Sequence, residues 1–366
     1  MSFRKKITFL TSALAGGGAE GVCINIANGL AEKGWDVELL VLNLNNSVYI
    51  ERVSHNVNLI SLNVDNARKS FFILSQYLKR NRVERVLVFN YELAVMLVLI
   101  KKITFLRFRL IARNINTLSK KMTIKGSWWR KFVVVPMVNK FYCEVDHVIN
   151  QCKAMERDLL SVFPQLKGKT SVIYNPVNKN IENFARKVDF RLLKKQDYLL
   201  CVGRLEEQKA FHYAIQAFAQ LAMEFPELRL KIVGQGSLEK QLKKLTKSLG
   251  LEDRVDFEGF QNNLVPYYLH ARATLLTSLY EGFPNVLIES ITLGTLVVAF
   301  DCPSGPNEII QNGINGYLVE QFKLDAFVDA IRKVCEKDGY PKGLTSFHEK
   351  YSLHTALIAY ETVLLR

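Results

Sequence analysis

The chain lacks the spacings by which cysteine does chemical work. Its six cysteines, Cys23, Cys143, Cys152, Cys201, Cys302 and Cys335, form no C-x-x-C pair and stand near no histidine cluster. That argues against a zinc site or a disulfide framework and fits a reducing cytoplasm. Long hydrophobic runs are missing too. The most apolar segment, Val86 to Ile100, is interrupted by Asn90 and Glu92 and falls short of the ~20 residues a spanning helix needs. The opening MSFRKKITFL leads into Gly16, Gly17 and Gly18 rather than a cleavage site, so it reads as a strand and loop and not as a signal peptide. Repeats and low-complexity tracts are absent.

Acidic residues are scarce in one half only. Residues 1–180 hold 27 Lys+Arg against 12 Asp+Glu, and residues 181–366 hold 22 against 23, so the net charge of +14 belongs to the first half. Such an asymmetry points that half at an anionic partner: a membrane surface, a phosphorylated substrate or nucleic acid. What is abundant is apolar residue, 49% of 366, enough for two cores in two domains of roughly 180 residues each.

Apolar strand-like runs recur at Ile7–Thr11, Val37–Leu42, Val57–Ser61, Val86–Phe89, Leu110–Arg113, His147–Asn150 and Ser171–Tyr174, with helix-compatible stretches between them. A second series follows at Tyr198–Gly203, Arg229–Val233, Val255–Glu258, Ala273–Thr277 and Leu296–Ala299. This alternation predicts two doubly wound α/β domains, with a linker at Asn175-Pro176 where the composition turns polar. Open α/β sheets bind ligands beyond the carboxyl ends of their strands, so the site is expected in the cleft between the domains.

Four constellations carry candidate chemistry. In EGFPNVLIE, residues 281–289, Gly282 and Pro284 break a strand-like run and Asn285 is placed to cap a helix of Val286, Leu287, Ile288 and Glu289. Amides at a helix start bind a diphosphate without metal. Glu281 on the loop can accept from sugar hydroxyls and Glu289, about two turns into the helix, from a ribose; two solvated glutamates are the plain alternative. In VGRLEEQK, Gly203, Arg204 and Lys209 follow a strand, and the two cations can neutralise a departing diphosphate; an exposed basic turn paired with Glu206 and Glu207 is the alternative. Gly234-Gln235-Gly236 permits close backbone approach. Gly16 to Gly21 formally matches G-x-G-x-x-G, but the second strand ends in Asn43, Leu44 and Asn45 rather than an acid, so an NAD site loses its ribose partner.

Together with GGGAE at 16–20, VIYNPV at 172–177, VGQGSLE at 233–239 and SGPNEIIQNGINGYLV at 304–319, these motifs resemble glycosyltransferase family 4 over nearly the whole chain. The resemblance implies the GT-B fold: two Rossmann-like domains with an interdomain cleft, an acceptor domain at 1–177, a nucleotide-sugar domain at 178–349, and a helix near 350–366 packing back on the first. It implies a retaining transfer from a nucleotide-diphosphate sugar, without metal or other cofactor. Arg204, Lys209 and Glu281 match the catalytic positions. Donor-binding positions are Gly17, Gly18, Asn114, Gly203, Gly234, Gly282, Phe283, Asn285, Val286, Leu287 and Glu289. No D-x-D occurs, so the metal-dependent GT-A alternative lacks its usual carboxylates. Many members carry a histidine where this chain has Asn114, which can orient a sugar but cannot act as a base at neutral pH. Gly21 also departs from a common arginine.

Residues 101–131 hold ten Lys+Arg and no acid. Lys120, Lys121, Lys125, Trp128, Trp129, Arg130 and Lys131 describe a peripheral membrane patch, against the alternative of a solvated basic surface whose aromatics enter the core. No nucleic-acid motif accompanies the charge. The expectation is therefore a cytoplasmic enzyme on the inner face of the cytoplasmic membrane. It would pass a hexose or N-acetylhexosamine from a UDP-sugar to a lipid-linked saccharide, with an α-linkage, in lipopolysaccharide, O-antigen or related glycan synthesis. A sugar-nucleotide epimerase of the same fold is the runner-up, ahead of an NAD-dependent oxidoreductase or a noncatalytic lipid-binding protein.

Overall fold

The computed structural model describes residues 5–45, 47–117, 119, 128, 130–336, 341 and 344–366, and the side chains of all of these except Arg130 and Arg191. The chain divides into two compact units, Met1–Asn178 with Leu353–Arg366, and Lys179–Ser352.

The first unit is built on seven parallel strands: β1 (Lys6–Thr11), β2 (Asp36–Val41), β3 (Val57–Ser61), β4 (Arg85–Val88), β5 (Arg109–Arg113), β6 (His147–Asn150) and β7 (Thr170–Val172). Their order is β3-β2-β1-β4-β5-β6-β7. Strands covered on both faces read as continuous apolar runs, and alternate residues sort to opposite faces. Leu10, Leu40, Val88, Leu110 and Val148 enter one core, whereas Ile7, Phe9, Leu39, Leu87, Ile111 and Ile149 enter the other. Within this unit the C-terminal helix Leu353–Leu365 packs on helix Gly18–Glu32. Glu361 fastens it there, accepting from Lys33 Nζ at 2.5 Å and Trp35 Nε1 at 2.9 Å. The apolar Val86–Ile100 stretch is cut by Asn90, whose side chain caps helix Tyr91–Thr104 by accepting from the amides of Glu92 and Leu93. Among the described residues no helix is long and apolar enough to cross a membrane.

The second unit has six parallel strands: β8 (Tyr198–Val202), β9 (Arg229–Val233), β10 (Val255–Gly259), β11 (Ala273–Leu276), β12 (Leu296–Asp301) and β13 (Gly316–Glu320), in the order β10-β9-β8-β11-β12-β13. The sequence reading stopped at the fifth. β13 escapes it because this edge strand opens on glycine and is only partly buried. Both sheets are doubly wound, and the strand order reverses at the β1/β4 and β8/β11 pairs, where such sheets leave a crevice for ligands.

Candidate functional site

Two loops leave the reversal point of the second sheet side by side. The first follows β8. Gly203 donates to the Val233 carbonyl at 2.9 Å, and Leu205 donates to the Gln235 carbonyl at 2.9 Å. A Cβ on Gly234 would lie 1.9 Å from the Gly203 oxygen, and one on Gly236 2.4 Å from that of Leu205. The chain itself therefore uses the closeness that these glycines allow, locking the β8 and β9 loops together. Glu206 completes the lock by accepting from the amide and hydroxyl of Ser237 at 2.9 and 2.8 Å, and those donors hold its carboxyl below the ordinary value. Glu206 is thus engaged chiefly by the β9 loop, with the Arg204 charge a smaller influence, while Arg204 is exposed.

The second loop follows β11. Leu279 donates to the Gln208 carbonyl at 2.8 Å, Gln208 Nε2 donates to the Tyr280 carbonyl at 2.9 Å, and the Thr277 hydroxyl donates to the Lys209 carbonyl at 3.0 Å. This stitching brings Lys209 Nζ to 2.6 Å from Glu281 Oε1, which also accepts from the Ser278 hydroxyl at 2.6 Å. Glu281 is buried, at 6% exposure, and its amide donates to the Pro303 carbonyl at 3.0 Å. Cys302 lies beside it; burial first, and then the Glu281 charge, push that thiol upward, so it stays protonated.

The following helix is Asn285–Thr292, and its cap position is Pro284, not Asn285. Pro284, at φ −79° and ψ 88°, is not helical, so it ends the loop and leaves Asn285 as the first helical residue. Glu289, four positions past the first helical residue, stands about one turn in rather than two. Its Oε2 accepts from the buried Tyr268 hydroxyl at 3.0 Å, and burial, then the Glu289 charge, raise that phenol well above its ordinary value. The Leu287 amide is engaged by the Pro284 carbonyl at 3.0 Å. The Phe283 ring is buried and lies 5.9 Å from that of Tyr351.

Sequence reasoning missed Ser278, Tyr268, Gln208 and Gln321, the last donating to the Leu279 carbonyl at 2.8 Å from beyond β13. Ser278 had a signal in its spacing of three from Glu281. Tyr268 had none, because its contact with Glu289 spans two separate helices.

In the first unit, Gly17 caps helix Gly18–Glu32 and its amide donates to Glu20 Oε2 at 2.8 Å, while Tyr49 donates to the Gly16 carbonyl at 3.0 Å. At Gly21 a Cβ would find an ordinary contact, 3.7 Å from the Tyr49 ring. Asn114 follows β5, 5% exposed, with its amide donating to the Ile149 carbonyl at 2.9 Å and Nδ2 to Asn150 Oδ1 at 3.2 Å.

Of the basic patch, Lys120, Lys121, Lys125, Trp129 and the Arg130 side chain lie outside the described residues. Trp128 is 70% exposed and lies 5.2 Å from the exposed Phe132 ring, over which Lys131 Nζ sits at 5.5 Å. Phe108 is buried, but Ile103 and Phe105 are 62% and 85% exposed. Beside them Lys101, Leu106, Arg107, Phe108, Arg109 and Asp146 line a groove of ≈ 530 Å³. Its one carboxylate accepts from both Lys101 Nζ at 2.8 Å and the Leu110 amide at 2.7 Å. Among the described residues no three His, Cys, Asp or Glu gather as metal ligands would.

Comparison with known proteins bears on this geometry. The family model described as "Glycosyltransferase Family 4" matches residues 16–180, and that described as "Glycosyl transferases group 1" matches residues 182–350. An uncharacterized glycosyltransferase of Haemophilus influenzae is 29% identical over 340 residues, 89% of each chain. The N-acetylgalactosamine-N,N'-diacetylbacillosaminyl-diphospho-undecaprenol 4-alpha-N-acetylgalactosaminyltransferase of Campylobacter jejuni is 32% identical over 207 residues, 55% of each. Among solved structures, Anabaena Alr3699/HepE in complex with UDP superposes with a TM-score of 0.75 at 20% identity, over 98% of this chain and 99% of that one.

Proposed function

From the premise that the chain belongs to glycosyltransferase family 4 and carries the GT-B fold of two Rossmann-like domains, we propose that it moves a hexose or N-acetylhexosamine from a UDP-sugar to a lipid-linked saccharide. It does so with retention, forming an α-linkage and needing no metal, in the assembly of a bacterial surface polysaccharide or glycan. The observation that carries this reading is the Lys209, Glu281 and Ser278 cluster just beyond β8 and β11, where the sheet order reverses.

The chemistry follows from charge. Breaking the bond from the sugar to the diphosphate places negative charge on the leaving oxygen, and preorganised cations lower that barrier. Arg204 and Lys209 supply them. Glu281 holds Lys209 in place and accepts from sugar hydroxyls, while Glu289, steadied by Tyr268, accepts from the ribose. Gly203, Gly234 and the backbone of Gly282, Phe283, Asn285, Val286 and Leu287 shape the donor pocket. Gly17, Gly18 and Asn114 are the donor-binding positions that the family resemblance assigns in the first unit, and the leaving phosphate helps take the acceptor proton. UDP as donor nucleotide is supported by the UDP complex of the Anabaena protein. The lipid-linked acceptor and α-linkage are supported by the activity for which the Campylobacter enzyme is named. An anionic membrane surface is the partner that suits the groove with Arg107 and Arg109 beside exposed Ile103 and Phe105.

The test is transfer by purified protein from a panel of UDP- and GDP-sugars, with EDTA present and a membrane lipid extract as acceptor. Release of UDP with sugar incorporated into lipid is expected. Release only on adding a divalent metal would overturn metal independence, and release of free sugar would favour the epimerase reading.

A further inference from the structure

The carboxyl ends of β5, β6 and β7 hold a buried polar chain of which the transfer chemistry uses only Asn114 directly. Arg113 ends β5 at 2% exposure, with its guanidinium 5.5 Å from the Phe89 ring and 5.6 Å from the Tyr360 ring. Burial opposes its charge. It donates to Asn175 Oδ1. Asn175 Nδ2 donates to Gln151 Oε1 at 3.0 Å, and Gln151 Nε2 donates to the Asn114 carbonyl at 3.0 Å. All four residues are at most 5% exposed.

A carboxamide can face either way, whereas a guanidinium only donates. Arg113 therefore turns the Asn175 oxygen toward itself and its NH₂ toward Gln151, which in turn must point its own NH₂ at Asn114. From this we propose that Arg113, acting through Asn175 and Gln151, is a positioning residue for Asn114: it sets the direction of a donor relay that holds the Asn114 backbone at the end of β5. Asn114 Nδ2 is engaged by Asn150, so its Oδ1 is left to accept from a ligand hydroxyl. VIYNPV thereby gains a role at Asn175, tying the segment after β7 to the strand ends. The inference rests on the transferase reading for what Asn114 does, but not for how it is held.

Asn175→Asp and Gln151→Glu separate this relay from simple packing or charge. Asn175→Asp sets a carboxylate against the Arg113 guanidinium, which favours the fold, and Gln151→Glu sets one against the Asn114 carbonyl; each removes the NH₂ that passes the relay on. The expected result is an unfolding midpoint at or above that of the parent for Asn175→Asp, and, for both variants, kcat down by about tenfold or more with donor KM little changed and faster amide exchange in peptides covering residues 110–117. Arg113→Lys, which still only donates, should retain more activity than Arg113→Met. Parental kcat and parental exchange in both carboxylate variants would overturn the proposal. A parent protein that transfers no sugar would sink the transferase reading instead, and the exchange measurement would still decide the relay.

Discussion

Lys209 and Glu281 lie 72 residues apart in the chain and 2.6 Å apart in the fold, with side chains only 15% and 8% exposed. The pair places a cation and a carboxylate at the reversal point of the sheet, and each holds the other where a donor would meet both.

Lys209→Ala and Glu281→Ala should each lower kcat by about 100-fold or more, as removal of a charge-stabilising donor does elsewhere. Each also strands a buried charge, at a cost of about 3–5 kcal/mol. The double variant Lys209→Met/Glu281→Gln should recover stability and not activity. Thermal unfolding beside turnover checks this, and a single variant with near-parental turnover would remove that residue from the mechanism.

Tyr268→Phe removes one hydrogen bond to a carboxylate and no bulk. A loss of about 1.5–3 kcal/mol in the placement of Glu289 should appear as UDP affinity weakened by roughly tenfold or more, with little change in fold. Titration calorimetry with UDP reads it; unchanged affinity would mean that Glu289 needs no such support.

His147 supplies a pH dependence. Burial, then Arg109 and Arg366, pull its imidazole down to about 4 from the ordinary 6.5. The unfolded chain thus binds a proton that the folded chain refuses between those values, so this contribution to stability is present above about pH 6.5 and is lost as pH falls toward 4. His147→Gln should flatten that part of the acid unfolding profile. Equal slopes in parent and variant between pH 4 and 6.5 would contradict the assignment.

Replacing Ile103, Phe105 and Arg107 together by serine should weaken sedimentation with anionic vesicles, and added salt should weaken the parent's binding in the same direction. A second set, Lys120, Lys121, Trp128 and Trp129, tests the neighbouring basic segment. Parental partitioning in both sets would return these residues to ordinary solvated surface.

The order of elements was readable because it depends on local pattern. Val57–Ser61, His147–Asn150 and Arg229–Val233 are observed at the boundaries that their apolar runs predict, and the other expected strands shift by a few residues at their ends. Reading failed where the pattern was thin, at the edge strand Gly316–Glu320, and where the helix began one residue early, with Pro284 rather than Asn285 at its cap. The motifs marked Lys209, Glu281 and Glu289 as chemically loaded residues.

Their partners were not readable. That Glu281 answers Lys209 and Ser278, that Tyr268 steadies Glu289, and that Arg113 reaches Asn114 by way of Asn175 and Gln151 are matters of which loops the sheets bring together. Periodicity and turn chemistry act over a few residues and so determine strands, helices and breaks by themselves. A hydrogen bond between distant side chains exists only once strand order and loop packing have brought its donor and acceptor within about 3 Å, and that was decided by the tertiary structure alone.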